Sequence, residues 1–509
     1  MALLYRIPAS YAGGLAVATG TLLLVFLTAC GSGTSTTPPP PQQFTLTKVS
    51  MDTFTDDPSE YQHATEVEAD LFSNGSTIVS AFQVGRRTPA FDGGAEDLGF
   101  ATSQDGGETW TSGFLPGITL FDGGGLFNAT SDPTVAYDAK HAVWLIGTVS
   151  IIDDPFSSQV QVSSSADALT WENPVIANTD LSSDHPWVVC DDGASSPYFG
   201  NCYVQWEDPN VGTLFMNTSS DGGQTWGPDT ATLSSALGTG NESIVLPNGV
   251  PVIPILSWDL TQVLSLTSSD GGTSWNDPVV VSTLTNHVDA GGIRSLPEVT
   301  ATIDNTGQVY FVWPDCRFRT NCSSNDLVMS TSTDGVSWTS PVRVPIDPLT
   351  STVDHFLPGL GVDPATGGAT AQLTLIYYFY PQTNCTVSDC SLEVGFVSSQ
   401  DGGDTWSAAQ TLAGPMSLSW LPETGLGYMA GDYLAVAYAN GNPFSVFAVA
   451  DANSGSTFDE PMYTTTQPLL PLTGAAHSSS QGERPVPNAK SERTGERIQH
   501  QEHESPNSP

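Results

Sequence analysis

Acidic and histidine side chains recur at one position of a repeated pattern, at the start of a strand that is followed by a turn and a second strand. The recurring set comprises His63, Glu66, Asp132, Asp184, His185, Glu242, Asp289, Arg294, Glu298, Asp354, His355, Asp432 and Tyr433. Two carboxyl groups that face one glycosidic bond suit glycoside hydrolysis, one as acid and the other as base or nucleophile. A ring of carboxylates also suits Ca²⁺, and the third interpretation is that these are solvated turn residues.

Seven repeated units must position these side chains. Each unit has a short strand with alternating apolar residues, an Asn-Gly, Asp-Gly or Gly-Gly turn, and a second strand rich in aromatic and β-branched residues. The units lie at 63–83, 131–149, 184–206, 241–258, 295–313, 356–380 and 431–451. No long stretch has helical periodicity.

This repeat predicts an all-β fold, a β-propeller of four-stranded blades over residues 44–465, with seven blades favoured over six. We expect residues 44–50 to supply a strand that completes the last blade. In a propeller the loops that lead into the innermost strands converge at a central channel, where ligands bind. The recurring ionisable residues are therefore predicted to surround the mouth of that channel.

A second motif, Ser-x-Asp-x-Gly-x-Thr-Trp or a shortened form of it, occurs six times, and each copy is called a box below. The glycines allow positive φ in a tight turn, the Asp carboxylate can accept backbone N–H groups across the turn, and the Trp can anchor the hairpin. Because catalysis does not need six copies, the box aspartates are predicted to be structural. They are Asp105, Asp167, Asp221, Asp270, Asp334 and Asp401.

The boxes resemble the Asp box, or bacterial neuraminidase repeat, of the sialidase superfamily. Sialidases grip the substrate carboxylate with three arginines and use a Tyr nucleophile with a Glu partner and an Asp acid. Residues 75–110 are similar in layout to the first sialidase blade, which implies substrate-binding roles for Arg86 or Arg87 and a catalytic role for Asp92. Residues 240–249 and 431–438 imply catalytic roles for Glu242 and Tyr433.

The chain also departs from the sialidase pattern. The Tyr-Arg-Ile-Pro sequence at 5–8 falls in the predicted signal peptide, and the strand after residues 240–249 has no Arg where the family has its second. With the arginine triad incomplete, we expect a sialidase-like propeller that acts on or binds extracellular glycans or glycoproteins. Arg294, Asp184, His185, Asp354 and His355 are the further candidate substrate contacts. An active sialidase, another glycosidase or lyase, and a non-catalytic binding scaffold remain alternatives.

The N-terminal segment predicts export. An apolar run ends in Leu27-Thr28-Ala29-Cys30, which resembles a bacterial lipobox and implies cleavage before Cys30 and lipid attachment to its thiol. We expect residues 1–29 to be a signal peptide, 30–43 an extended linker, and 466–509 a disordered polar tail. The protein is thus predicted to be a monomer tethered to the outside of a bacterial membrane.

Cysteine spacing and charge agree with export. Apart from Cys30, the cysteines form close pairs that predict three local disulfides in an exported chain: Cys190–Cys202, Cys316–Cys322 and Cys385–Cys390. No pattern of zinc ligands is present in the sequence, and no cofactor is expected unless Ca²⁺ binds at the channel. The net charge of −41 makes nucleic acid and other polyanions poor partners.

Overall fold

The computed structural model describes residues 44–91, 93–179, 181–232, 237–382, 384–470 and 477–478. Within these ranges the chain is all-β, with many antiparallel sheets and four short 3₁₀ turns at Ala290–Gly292, Thr320–Cys322, Gly368–Thr370 and Leu418–Trp420. None of the described helical segments has the length and apolar character needed to cross a membrane. The predicted signal peptide, the linker and Cys30 lie outside the described residues.

The described strands follow one another in groups. They are β1 (Leu46–Lys48); β2 (Tyr61–Asn74), β3 (Thr77–Arg87), β4 (Ala95–Ser103) and β5 (Thr111–Phe114); β6 (Ala129–Asp138), β7 (Val143–Asp153), β8 (Phe156–Ser165) and β9 (Val175–Ile176); β10 (Asp184–Cys190), β11 (Cys202–Asp208), β12 (Thr213–Ser219) and β13 (Thr230–Ala231); β14 (Gly238–Gly240), β15 (Ile244–Val245), β16 (Pro251–Ser257), β17 (Gln262–Thr267) and β18 (Val279–Thr283); β19 (Thr300–Ile303), β20 (Val309–Asp315), β21 (Asp326–Ser332) and β22 (Val342–Arg343); β23 (His355–Val362), β24 (Leu373–Phe379), β25 (Ser391–Ser399), β26 (Thr405–Trp406) and β27 (Gln410–Ser417); and β28 (Glu423–Thr424), β29 (Gly427–Tyr428), β30 (Val436–Ala439), β31 (Asn442–Ala448), β32 (Met462–Thr465) and β33 (His477–Ser478).

Each group pairs antiparallel in chain order, so that its strands form a meander. The first two groups join through the single pair Ala95–Thr130 into one eight-stranded sheet, and β14 and β15 both pair with β16. The final sheet has the order β1-β32-β31-β30, which confirms that a strand from residues 44–50 completes it. Although chain order places β26, β28, β29 and β33 in the last two groups, β26 pairs with β33 and β28 pairs with β29 apart from the meanders.

Hydrophobic clusters fill the spaces between successive groups because both faces of each sheet are apolar. Phe100 of the first group packs with Trp144 of the second, and Phe82 of the first lies in one cluster with Phe444 of the last. The first strands contact one another in chain order, and β30 contacts β2. The last group therefore packs against the first as well as against its predecessor.

The C-terminal segment begins inside the folded body. Leu469 is fully buried, its backbone N–H donates to the Pro443 carbonyl, and the Thr466 N–H donates to the Thr45 carbonyl. Residues 466–470, assigned from the sequence to the polar tail, therefore pack against the sheets. The three predicted disulfides, Cys190–Cys202, Cys316–Cys322 and Cys385–Cys390, are confirmed.

The boxes form the turns expected from their residues. In the first box the Asp105 carboxylate accepts the Ser103 hydroxyl at 2.8 Å and the Thr109 backbone N–H at 2.9 Å. Gly106 and Gly107 have φ of 81° and 91°, and a Cβ on Gly107 would clash with the Phe444 ring. The Thr109 hydrogen bonds lower the pKa of Asp105 to about 2. Each box thus closes a turn with its own carboxylate.

Replacing Asp221 with alanine is expected to lower the melting temperature. The substitution removes acceptors for the Ser219 hydroxyl at 2.9 Å and for the Thr225 N–H and hydroxyl at 3.0 and 2.6 Å. We expect a loss of ~1–2 kcal/mol of unfolding free energy, measured by denaturation beside the exposed-residue control Asp277→Ala. If the box has only a structural role, the folded fraction of the variant should bind ligand as tightly as the wild type does. A selective loss of affinity would contradict that role.

Candidate functional site

Bulges in the innermost strands direct ionisable side chains toward a common centre. β2, β6 and β10 each shift register near their first residues. The residues within these bulges, Glu68, Asp132 and His185, have left-handed φ angles of 56°, 53° and 48°. A bulge adds one residue to a strand and re-aims its side chain, and left-handed backbone is uncommon outside glycine. The local backbone thus brings together side chains from three successive sheets.

Arg294 is a cation of this central cluster. Its Nε donates to both carboxylate oxygens of Asp432, at 2.8 and 3.0 Å, and its Nη2 also donates to Asp432. Burial raises the pKa of Asp432, but the attraction of Arg294 outweighs burial and leaves that pKa below its ordinary value. Asp432 is therefore ionised, and one edge of the guanidinium is occupied.

Glu68 lies in a buried hydrogen-bond chain. Gln83 Nε2 donates to Glu68 and, at 3.0 Å, to Ser131 Oγ, which donates to Asp132 Oδ1 at 2.9 Å. Arg86 Nη1 donates to Gln83 Oε1 at 2.9 Å. Burial raises the pKa of Glu68 well above its ordinary value, and neighbouring carboxylates raise it further. Both effects favour the protonated form of Glu68.

Glu298 is a second carboxyl group in the cluster whose pKa is raised. Its Oε2 lies 3.8 Å from His185 Nε2 and 3.5 Å from Asn241 Nδ2. Burial raises its pKa well above the ordinary value, and the charge of Asp432 raises it further. Glu298 and Asp432 are thus shifted in opposite directions within one cluster.

Glu242 and Tyr433 are both held by neighbouring residues. Glu242 Oε2 accepts the Thr300 hydroxyl at 2.6 Å and the Ala301 N–H at 2.9 Å, and burial raises its pKa to about 8. The Tyr433 hydroxyl donates to the Pro133 carbonyl at 2.9 Å. Burial raises the pKa of Tyr433 well above its ordinary value, so the phenol remains neutral.

A cavity with room for about one water molecule lies beside Glu242, Glu298, Asp432 and Tyr433. Its walls combine carboxyl groups with aromatic and small apolar side chains. The lining residues are Trp187, Asn241, Glu242, Glu298, Val299, Thr300, Pro358, Asp432, Tyr433 and Leu434. The cavity is therefore lined both by a carboxyl group with a raised pKa, that of Glu298, and by one with a lowered pKa, that of Asp432.

The structure separates some of the residues that the sequence grouped. Arg87 Nη1 lies 2.9 Å from Asp153, and Arg87 Nη2 bonds Asp153 and Glu60. Its guanidinium also lies 5.7 Å from the Tyr61 ring centroid. Arg87 therefore belongs to a separate group of ion pairs and not to the central cluster. Asp184, at the start of β10, adjoins the cluster through its Oδ1, which accepts the His185 N–H at 3.1 Å. Asp92 lies outside the described residues.

Asp354 and His355 lie in two further clusters. Asp354 groups with His287 and Asp289, whereas His355 groups with Asp326 and Asp347, and in each cluster one donor atom per residue lies within 4.8 Å of the others. These are the groups of metal-ligating side chains found among the described residues. The ionisable residues that the sequence predicted to form one ring thus lie in the central cluster and in the two clusters of Asp354 and His355.

Sequence reasoning missed Glu68. Glu66, Glu68 and Asp70 alternate along β2, and all three are buried. A run of alternating acidic residues in a buried strand could have indicated Glu68, although a register shift between Val67 and Asp70 interrupts the alternation. No local pattern indicates the pairing of Arg294 with Asp432, which are 138 residues apart.

Comparison with known proteins finds distant matches among solved structures. No protein-family model and no curated protein sequence matches the chain. Among solved structures, a Hadza microbial sialidase is 14% identical with a TM-score of 0.39, covering 80% of this chain, and this chain covers 66% of that one, slightly less than two thirds. An ulvan lyase of polysaccharide lyase family 25 is 11% identical with a TM-score of 0.48, over 82% and 95% of the two chains. NanB sialidase from Streptococcus pneumoniae is 12% identical with a TM-score of 0.40, over 83% and 70%.

Proposed function

We propose that the chain is an exported, lipid-anchored, seven-bladed Asp-box β-propeller of the sialidase superfamily that binds extracellular glycans and hydrolyses them with central carboxyl groups. The meander groups and the contact of the last with the first support seven blades. The lipobox-like Cys30 and the three disulfides support export. The activity is carried by one observation: Glu298 and Asp432 line one cavity with oppositely shifted pKa values.

Acid–base catalysis by two carboxyl groups at one pH requires their pKa values to be shifted in opposite directions. Glu298 keeps its proton and is the proton donor to the leaving oxygen. Asp432, held ionised by Arg294, is the base or nucleophile. Trp187 supplies an aromatic wall, which suits the apolar face of a sugar ring. The cavity must widen to admit a sugar, since it has room for only about one water.

The charge of the cluster favours an uncharged reacting sugar over sialic acid. Arg294 is neutralised by Asp432, and Arg87 by Asp153 and Glu60. Both guanidinium groups are already paired with carboxylates of the protein, so neither offers an unpaired fork to grip a substrate carboxylate. The neutral, hydrogen-bonded Tyr433 is also poorly suited to act as a nucleophile.

Hydrolysis of fluorogenic neutral glycosides by the full-length protein tests this function. Glu298→Gln should retain the fold and glycan binding but lose ~10²–10⁴-fold in turnover, the usual contribution of a general acid. Glu172→Gln, at an exposed position, is the matched control and should keep full activity.

An α-sialoside in the same assay separates the alternatives. Turnover of the sialoside that is lost in Asp92→Asn and Tyr433→Phe would establish a sialidase and contradict the proposal. If the folded protein binds glycans but hydrolyses none, it is a non-catalytic binding scaffold, and the proposed catalytic activity is wrong.

A further inference from the structure

We propose that His287, Asp289 and Asp354 bind a first-row divalent cation such as Zn²⁺ or Mn²⁺, at a site separate from the central cavity. This inference does not depend on the proposed glycan hydrolysis. His287 and Asp289 lie in the connection between β18 and β19, and Asp354 immediately precedes β23. The site therefore joins the connections that enter two successive sheets.

The donor atoms already converge. His287 Nδ1 lies 2.9 Å from Asp354 Oδ1, and one donor atom from each of the three residues lies within 4.8 Å of the others. With metal–ligand bonds of about 2.0–2.2 Å, neighbouring donors in a coordination shell are about 3 Å apart. Asp289 and Asp354 are buried, whereas the His287 side chain is 26% exposed. An ion can thus reach the buried carboxylates from the histidine side.

A fully buried asparagine holds the ligands in place. The Asn325 backbone N–H donates to Asp354 Oδ1 at 2.7 Å, and its side-chain Nδ2 donates to Asp289 Oδ1 at 3.2 Å. Its Oδ1 accepts the His287 backbone N–H at 2.8 Å. The Ser295 hydroxyl donates to Asp289 Oδ2 at 2.7 Å. Outer hydrogen bonds of this kind orient metal ligands.

Charge balance distinguishes this cluster from its neighbour. Within the described ranges, the ion-pair partner of Asp354 is His287, and neither aspartate pairs with Arg or Lys. The neighbouring cluster of Asp326, Asp347 and His355 is instead filled by two arginine side chains. In the part of the chain that the structure describes, no arginine side chain fills the first cluster, so that cluster can accept an added cation, whereas the second cluster already holds two guanidinium groups.

The donor set selects the class of ion. One imidazole nitrogen with carboxylate oxygens suits Zn²⁺ or Mn²⁺. Ca²⁺ prefers six to eight oxygen ligands, which this site does not provide. The same connection carries Arg294 and Glu298, so the bound ion would also fix the segment that supplies two members of the central cluster.

Titration of the chelator-treated full-length protein tests the site. We expect one equivalent of ZnCl₂ or MnCl₂ to bind by calorimetry, more tightly than CaCl₂, and to raise the melting temperature. His287→Ala and Asp289→Asn should each weaken that binding by ~100-fold or more, since even an outer-sphere partner contributes 10–100-fold. The exposed control Asp277→Asn should bind as the wild type does.

A second pair of measurements keeps the test decisive if Asp289→Asn fails to fold. His287 is partly exposed, so His287→Ala is expected to remain folded, and its metal affinity then tests the proposal without Asp289→Asn. Asp347→Asn, in the arginine-filled cluster, should leave the stoichiometry unchanged. The proposal is overturned if folded wild-type protein binds neither Zn²⁺ nor Mn²⁺ saturably, if Ca²⁺ binds more tightly, or if His287→Ala binds as the wild type does.

Discussion

Replacing Arg319 with methionine is expected to reduce the free energy of unfolding by about 3–5 kcal/mol. Arg319 is 1% exposed, and its guanidinium pairs with both Asp326 and Asp347. Its Nη1 also donates to the carbonyls of Pro348 and Ser351, at 2.8 and 2.9 Å. The substitution leaves buried carboxylates without one of their two cations, and leaves two carbonyls without a donor.

Arg343 cannot replace the lost partner. It already binds Asp326 through Nε at 2.7 Å and Asp347 through Nη2 at 2.6 Å. Burial raises the pKa of Asp326, and Arg343 and Arg319 only partly oppose it. Removing Arg319 therefore favours protonation of a buried Asp326, at a cost in folding free energy.

Chemical denaturation measures this effect. Arg319→Lys keeps the charge but not the planar fork, so its loss should fall between those of the wild type and Arg319→Met. Glu172→Gln, exposed on the surface, is the control. A midpoint for Arg319→Met equal to that of the control would show that the cluster contributes nothing to stability.

The protein is expected to be most stable at mildly acidic pH and to lose stability as the pH rises toward 8. Burial raises the pKa of Asp70 and Asp97 to about 7, and of Glu66 and Glu242 to about 8. In the unfolded chain these groups titrate near 4. Between the two values the folded state binds more protons than the unfolded state, so stability falls as pH rises.

Asp70 illustrates the magnitude. A pKa raised from 3.8 to about 7 corresponds to ~4 kcal/mol of stability lost between pH 4 and pH 8. The box aspartates act in the opposite sense. Hydrogen bonds lower the pKa of Asp105, Asp167 and Asp334 to about 2. Their contribution to stability is therefore fully present above pH 4 and is lost as the pH falls from about 4 to about 2. Maximum stability is thus expected near pH 4–6.

Thermal unfolding at pH 4, 5, 6, 7 and 8 tests the prediction. Asp70→Asn should flatten the decline above pH 5, because the amide does not ionise and its oxygen can still accept the Val135 N–H that Asp70 accepts at 2.6 Å. Asp277→Asn, which is exposed, should leave the slope unchanged. A melting temperature that rises steadily from pH 5 to pH 8 would contradict the assignment of these carboxyl groups as protonated in the folded state.

The sequence by itself determined the features that depend on neighbouring residues. The box turns, the alternating strands and the three disulfides follow from local patterns. A box closes because its Asp accepts hydrogen bonds from residues two to four positions away, and this geometry needs no distant partner. Alternation with period two likewise defines which face of a strand is apolar.

The tertiary structure alone decided which ionisable side chains meet. Arg294 pairs with Asp432, and Tyr433 bonds Pro133, 300 residues away, because distant strands become neighbours only when the sheets pack together. Asp354 and His355, adjacent in sequence, belong to different clusters, because Asp354 lies just before β23 and accepts the Asn325 N–H. Desolvation and charge in that packed interior, rather than residue type, then decide which carboxyl groups keep a proton.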